Sequence, residues 1–209
     1  MNIPVISYVF FGISAFLLLF WKVIFMRNPK RNVPKGNVVV APASGKIIEV
    51  LEFTNNQVQL YKGNKRFLGL INTLTSDVAP SGTIVSIFMS PLNVHHNRSP
   101  IAGQVVSVIH SDGKFLAVNT LEAGLVNEKS EILIKSPFGN VKMIQIAGFL
   151  ARRVVTHVKP GENVQTGGPV GHINLGSQVT VIVPSNMSIV VKKGDKVVSG
   201  ETIIANFNS

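Results

Sequence analysis

The sequence predicts a mainly β domain behind one apolar N-terminal helix. Two patterns point to the β class. From Val38 onward, short runs rich in β-branched residues recur: Lys46-Ile-Ile-Glu-Val, Gly82-Thr-Ile-Val-Ser-Ile-Phe, Gln104-Val-Val-Ser-Val-Ile and Val141-Lys-Met-Ile-Gln-Ile. Clusters of Gly, Pro, Asn and Ser separate them, and no long amphipathic helix pattern follows the first segment. The helix rests on a third observation: Ile3 to Trp21 is nineteen residues without a charge.

As a helix that first run is ~28 Å long at ~1.5 Å per residue, close to the ~30 Å hydrocarbon core of a bilayer. No basic residue precedes it and no small-x-small cleavage site follows it, which argues against a signal peptide. Residues 1–26 are therefore expected to form a membrane anchor helix. Lys22, Arg27, Lys30, Arg31 and Lys35 come directly after the apolar run. By the positive-inside rule they keep the bulk of the protein on the cytoplasmic side of the cell membrane, near anionic head groups. Pro29, Pro34 and Gly36 mark residues 27–37 as a basic linker. Residues 38–209 are the expected β-rich domain.

Composition narrows the partners. The 209 residues contain no Cys, so disulfides, thiolate metal sites and a cysteine nucleophile are excluded. The formal charge of +10 suits an anionic partner: a membrane surface, an acidic substrate or a nucleic acid. Aromatic residues are scarce beyond the N-terminal segment, which disfavours a base-stacking surface, and no nucleic-acid partner is expected.

Internal repeats organise the β region. Ala41-Pro-Ala-Ser-Gly-Lys-Ile-Ile-Glu-Val returns in outline as Ser99-Pro-Ile-Ala-Gly-Gln-Val-Val-Ser-Val. Val158-Lys-Pro-Gly-Glu-Asn-Val-Gln-Thr-Gly matches Val191-Lys-Lys-Gly-Asp-Lys-Val-Val-Ser-Gly. Gly161 and Gly194 are expected to serve tight turns. The pattern resembles the turns of biotinyl and lipoyl domains and implies a barrel-sandwich hybrid of short strands. A carrier role is not expected, because neither Met-Lys-Met nor Asp-Lys-Ala occurs. A membrane-tethered adaptor is compatible with the repeats, but the long coiled-coil helices of such assemblies are missing. Ser90-Pro-Leu-Asn-Val-His-His-Asn reads as one helical turn, with Ser90 as N-cap and Pro91 first. Gly176-Ser177 stands just before Val179, Val181 and Val183, which alternate as in a strand.

Four ordered stretches carry a family resemblance. They are Phe25-Met-Arg-Asn-Pro-Lys-Arg; Ile87-Phe-Met-Ser-Pro-Leu-Asn-Val-His-His-Asn-Arg-Ser-Pro; Asn127-Glu followed by Gln145-Ile-Ala-Gly-Phe-Leu-Ala-Arg-Arg-Val-Val; and Gly171-His-Ile-Asn-Leu-Gly-Ser-Gln-Val. Together they resemble phosphatidylserine decarboxylase in its short, single-domain form, over nearly the whole chain. The resemblance implies a zymogen whose Gly176–Ser177 bond breaks itself. The Ser177 hydroxyl attacks the preceding carbonyl, elimination follows, and Ser177 becomes an N-terminal pyruvoyl group. The two self-cleaved chains then form a heterodimer. The pyruvoyl carbonyl forms a Schiff base with a serine phospholipid, which loses carbon dioxide and becomes the ethanolamine lipid. Independently of the family, decarboxylating an α-amino acid head group needs an electron sink, and such a carbonyl supplies one.

The same resemblance implies roles for single residues. His95 stands at the family's Val-His position and would shuttle a proton. Arg152 and Arg153 match the Ala-Arg-Arg pair: one would hold the substrate phosphate or carboxylate, or the pair is a solvated strand end. His96 replaces an apolar residue and reads as a surface or packing histidine. No metal site is expected, since adjacent His95 and His96 diverge and no carboxylate is close in sequence. His110, His157 and His172 read as structural. Two departures stand out. Ser44 occupies a position where the family has Asp, thought to orient and charge-stabilise the histidine that activates the serine, and Asn93 replaces the Asp of the histidine loop. Ser44 can hydrogen-bond but carries no charge near neutral pH. Asp77 and Asp195 are weak substitutes. The alternative is therefore an uncleaved member of the same fold that binds anionic lipid or a membrane partner.

Overall fold

The computed structural model describes residues 5–55, 57–58, 72–113, 126–148, 153–174 and 177–207. Helix α1 (Val5–Leu19) opens the chain and widens into a π-helical turn over Phe20–Phe25. The strands follow in order: β1 (Val38–Val40), β2 (Gly45–Thr54), β3 (Gln57–Val58), β4 (Ser81–Met89), β5 (His96–Arg98), β6 (Gly103–Ser111), β7 (Lys129–Ser136), β8 (Gly139–Ala147), β9 (Val154–Thr156), β10 (Asn163–Val164), β11 (Pro169–Ile173), β12 (Ser177–Pro184), β13 (Met187–Ile189), β14 (Lys196–Val197) and β15 (Ile203–Phe207). The mainly β class is as the sequence predicts. The arrangement is coarser than a sandwich of short strands. Its body is one curled antiparallel sheet of nine strands, ordered β10-β6-β7-β8-β12-β4-β2-β14 with β3 beside β2. Two three-stranded sheets, β1-β15-β13 and β5-β11-β9, complete it.

Strand β12 lies at the centre, paired with β4 on one side and β8 on the other. All eight of its residues are buried. Its apolar side chains feed two cores. Val179, Val181 and Val183 join Ile87, Ile132 and Met143 on one face, while Ile182 joins Phe53, Ile84 and Ile144 on the other. A sheet covered on both faces explains why this stretch is a near-continuous aliphatic run.

The repeats become two equivalent halves. In one half, β14 pairs with the start of β2 in the register Lys46↔Lys196 and Gly45↔Val197. In the other, β10 pairs with β6 in the register Gln104↔Asn163 and Gly103↔Val164. The turns match bond for bond. The Gly194 N–H donates to the Ile47 carbonyl and the Gly161 N–H to the Val105 carbonyl, both at 2.8 Å. Both glycines have positive φ, +101° and +91°, as the tight turns require. The acid one residue later closes each turn: the Asp195 carboxylate accepts from the Lys192 N–H, and the Glu162 carboxylate from the Lys159 N–H.

The sequence leaves open whether the expected anchor helix spans the bilayer or lies in one leaflet, and the structure does not support a span. Helix α1 has 15 residues, against the ~20 that a spanning helix needs. Its regular ladder gives way at Phe20, and Lys22 enters the next turn. Among the described residues no helix is long and apolar enough to cross a membrane. What the chain does present is a helix with large apolar side chains left in the open, among them Phe10, Phe11, Phe16 and Leu18.

Candidate active site around Ser177 and His95

Ser177 opens β12, opposite Met89 at the end of β4 and Ala147 at the end of β8. It is fully buried, and its hydroxyl has no hydrogen-bond partner among the described residues. An unpaired buried hydroxyl costs about 1–3 kcal/mol, so a fold retains one where the atom has another use. Gly176 lies outside the described residues, as does Arg152.

Both neighbours of Ser177 are tied down. The Ala147 carbonyl accepts from the Asn127 side-chain amide at 2.8 Å, and its N–H donates to the Glu128 carbonyl at 2.9 Å. The Glu128 carboxylate in turn accepts from the Val154 N–H. The Met89 sulfur accepts from the Asn97 amide, whose Oδ1 accepts from Gln145 at 2.8 Å. Gln145 Oε1 accepts from Thr156, whose hydroxyl also meets that of Ser130. The Asn127-Glu, Gln145 and Asn97 positions, scattered in sequence, thus form two buried sets of hydrogen bonds, one behind each strand neighbour of the serine.

His95 ends the loop that leaves β4. Ser90 and Asn93 form a reciprocal turn there: the Asn93 N–H donates to the Ser90 carbonyl, and Asn93 Oδ1 accepts from both the N–H and the hydroxyl of Ser90. The expected helical turn at Ser90 is this tight turn instead, because Asn93 folds its side chain back onto the backbone. The Asn93 carbonyl lies 2.9 Å from His95 Nδ1, which must therefore carry the proton, leaving Nε2 as the lone-pair nitrogen. Nε2 is buried and has no partner among the described residues. Burial, and secondarily the nearby Arg27 charge, lowers the His95 pKa to about 4. The ring is thus neutral at physiological pH. Phe25 covers it, with ring centroids 4.1 Å apart, and Trp21 stacks on Phe25 at 4.6 Å. The segment before Ser177 closes on the same loop, with the Ile173 N–H donating to the His95 carbonyl at 3.3 Å.

The sequence left several of these features unread. Arg27 donates to the Leu92 carbonyl at 2.6 Å. Arg98 donates to the Asn28 side chain and to the carbonyls of Pro29 and Gly167. The Phe25-Met-Arg-Asn-Pro stretch is therefore a clamp on the His95 loop. Ser44 is buried, and its hydroxyl accepts from the Ser199 N–H at 3.0 Å, so it ties together the two repeats of one half. Arg153 is exposed just before β9, and its carbonyl accepts from the Asn174 N–H. His96, read from the sequence as a surface or packing histidine, and His157 and His172, read as structural, lie together. His96 and His172 are cross-strand partners with rings 5.6 Å apart, and His157 Nε2 is 3.3 Å from His172 Nδ1. They had no local signal in the sequence, because it is the pairing of β11 with β5 and β9 that brings them together.

A buried hydroxyl without a partner on a clamped strand, and a neutral imidazole in the loop that leaves the neighbouring strand, are the kinds of group that acyl chemistry at a serine uses. The comparisons make that class particular. The family description "Phosphatidylserine decarboxylase" matches residues 18–205. The chain is 40% identical over 199 residues to a protein of Methanocaldococcus jannaschii provisionally named archaetidylserine decarboxylase proenzyme, covering 94% of each chain. It is also 40% identical to the phosphatidylserine decarboxylase proenzyme of Chlorobium limicola, over 93% of this chain and 82% of that one. The Chlorobaculum parvum proenzyme of the same name is 36% identical, over 92% of this chain and 81% of that one. This chain belongs to the phosphatidylserine decarboxylase family, whose proenzymes are pyruvoyl-dependent decarboxylases that derive the pyruvoyl group from a serine by self-cleavage.

Proposed function

We propose that the chain cleaves itself between Gly176 and Ser177 and then decarboxylates a serine phospholipid at the membrane surface, giving the ethanolamine lipid and carbon dioxide. The observation that carries this reading is the buried, unpartnered Ser177 hydroxyl at the first position of β12. The hydroxyl oxygen bonds to the Gly176 carbonyl carbon, and its proton passes to a base. The C–N bond of the old amide breaks, and the freed amine takes the proton. The result is an ester; loss of the Ser177 Cα proton eliminates the Gly176 carboxylate and leaves a dehydroalanine, which water hydrolyses to the pyruvoyl group with release of ammonia. His95 Nε2 is the base we assign: it is neutral, buried, and oriented by the Asn93 carbonyl at Nδ1.

The site fits a pyruvoyl group, since Ser177 is enclosed and its neighbours Met89 and Ala147 are fixed by the hydrogen bonds behind them. The group supplies an electron sink for the carbanion left when carbon dioxide departs. His95 would deliver the replacing proton, and Arg152 or Arg153 would meet the lipid's carboxylate. The relatives' names include both phosphatidylserine and archaetidylserine, so the head group, rather than the lipid backbone, is the shared feature.

The exposed apolar surface of α1 would lie in one leaflet, with Lys22, Arg27 and Lys30 among the anionic head groups on the cytoplasmic side. The test is the intact mass of the purified chain, with serine-phospholipid decarboxylation followed in parallel. Two fragments, 1–176 and a pyruvoyl-blocked 177–209, together with product lipid, are expected. A single unbroken chain would sink the reading and leave a lipid-binding protein of the same fold.

A further inference from the structure

A groove of about 710 Å³ runs between the end of the N-terminal helix and the His95 loop. Among the described residues four cations line it, Arg27, Arg31, Lys46 and Lys196, and no carboxylate does. Glu201 lies 3.8 Å from Arg31 and offsets that charge. Lys46 and Lys196 are different. They stand directly opposite each other on paired antiparallel strands. Like charges so placed repel, and an anion between them would relieve that repulsion. The nearby acids are engaged elsewhere: the Asp195 carboxylate caps the Lys192 N–H at 2.9 Å, and Glu49 pairs with Lys193 at 3.2 Å.

The fold contains its own control. The equivalent positions in the other half are Gln104 and Asn163, in the same register on the same kind of turn. The repeat therefore does not require lysines there. They occur only in the half whose face meets the helix end and the His95 loop. Phe88 and Val94 give that groove an apolar side. Phe88 is the cross-strand partner of Gln178, the residue after Ser177, and Val94 precedes His95. A basic clamp, an apolar wall and a neighbouring helix with open apolar faces together suit an amphiphile rather than a free anion.

We propose that Lys46 and Lys196, with Arg27 at the rim, clamp the phosphodiester of the serine phospholipid in this groove. The assignment of the lipid as substrate rests on the function proposed above; the anion site itself does not. The test is a binding titration on the full-length chain carrying Ser177→Ala, which cannot mature and so cannot consume the probe. Dihexanoyl phosphatidylserine is titrated in neutral detergent by calorimetry, with inorganic phosphate as the second probe. The double variant K46Q/K196N installs the pair that the other half already carries, so it is expected to fold. Its Kd for the lipid should rise about tenfold, as for the loss of two partly exposed ion pairs. Lys159→Gln, in the equivalent turn of the other half, should leave the Kd unchanged.

An unchanged Kd in K46Q/K196N overturns the proposal. Phosphate binding as tightly as the lipid, with no gain from the acyl chains, overturns the lipid assignment. If the unmodified chain proves uncleaved while K46Q/K196N still loses lipid, the decarboxylase reading fails and the groove stands. If cleavage and turnover are found but the double variant binds normally, the groove fails alone.

Discussion

Burial does two things to His95 at once. It keeps the ring neutral, and it makes protonation of that ring a load on the fold. The folded pKa is about 4 against an ordinary 6.5. The unfolded chain therefore binds the proton first as pH falls, and stability drops between pH 6.5 and about 4. Burial lowers His96 and His172 in the same direction, reinforced at His96 by the charges of Arg98 and His157 and at His172 by those of His96 and His157. Urea unfolding from pH 7.5 down to 4.5 should show this slope, and His95→Gln should flatten part of it. An unchanged slope would show that His95 titrates normally. Phe25 sets this state by covering the ring. Phe25→Ala should cost about 3 kcal/mol and, by admitting water, raise the His95 pKa toward 6.5. Phe25→Leu should recover most of the stability. The readout is the imidazole NMR titration together with the acid limb of the cleavage rate. A pKa that stays near 4 in Phe25→Ala would show that the loop alone is responsible.

Among the elements, the paired repeats decide where substitutions hurt. Gly45 lies against β4 so closely that a Cβ would fall 2.0 Å from the Phe88 carbonyl oxygen. That oxygen belongs to backbone and has little freedom to withdraw. Gly45→Ala should therefore cost several kcal/mol and disturb the strand that positions Phe88 and Met89. Gly194 is the contrast: its φ is +101° but open space surrounds it, so Gly194→Ala should cost only about 1–2 kcal/mol of backbone strain. Equal losses in urea titrations of the two variants would contradict this account. The repeats, their glycines and the β12 run were legible because they rest on local pattern. The joining of Phe25-Met-Arg-Asn-Pro to the His95 loop was not, because Arg27–Leu92 and Arg98–Asn28 bonds cross 65 and 70 residues. The Lys46–Lys196 pairing was hidden for the same reason. Ser44 was read as a degenerate catalytic position; that its hydroxyl accepts from the Ser199 N–H was not legible, because the bond crosses 155 residues. The apolar N-terminal run was legible as helix, but its length as a regular α-helix was not, since the π turn begins inside it.

For the molecule as a whole, cleavage before Ser177 would cut the chain in front of its own central strand. The order β8-β12-β4 places the new N-terminal residue between two strands of the other fragment. Beyond it, β12 keeps its register with β4 from Gln178↔Phe88 to Pro184↔Gly82, and with β8 from Gln178↔Ile146 to Ile182↔Lys142. Val179, Val181, Ile182 and Val183 are all fully buried, and each contributes about 2 kcal/mol by leaving water. Farther along, β14 returns to β2 and β15 to β1, so the small fragment is threaded into both the large sheet and a small one. Breaking one peptide bond removes none of these contacts. The two fragments should therefore migrate as one particle in size-exclusion chromatography in neutral detergent. They should separate only in denaturant, at a concentration close to the unfolding midpoint of the uncleaved Ser177→Ala chain. Fragments that part in native buffer would mean that the register around β12 is not what holds the cleaved molecule together.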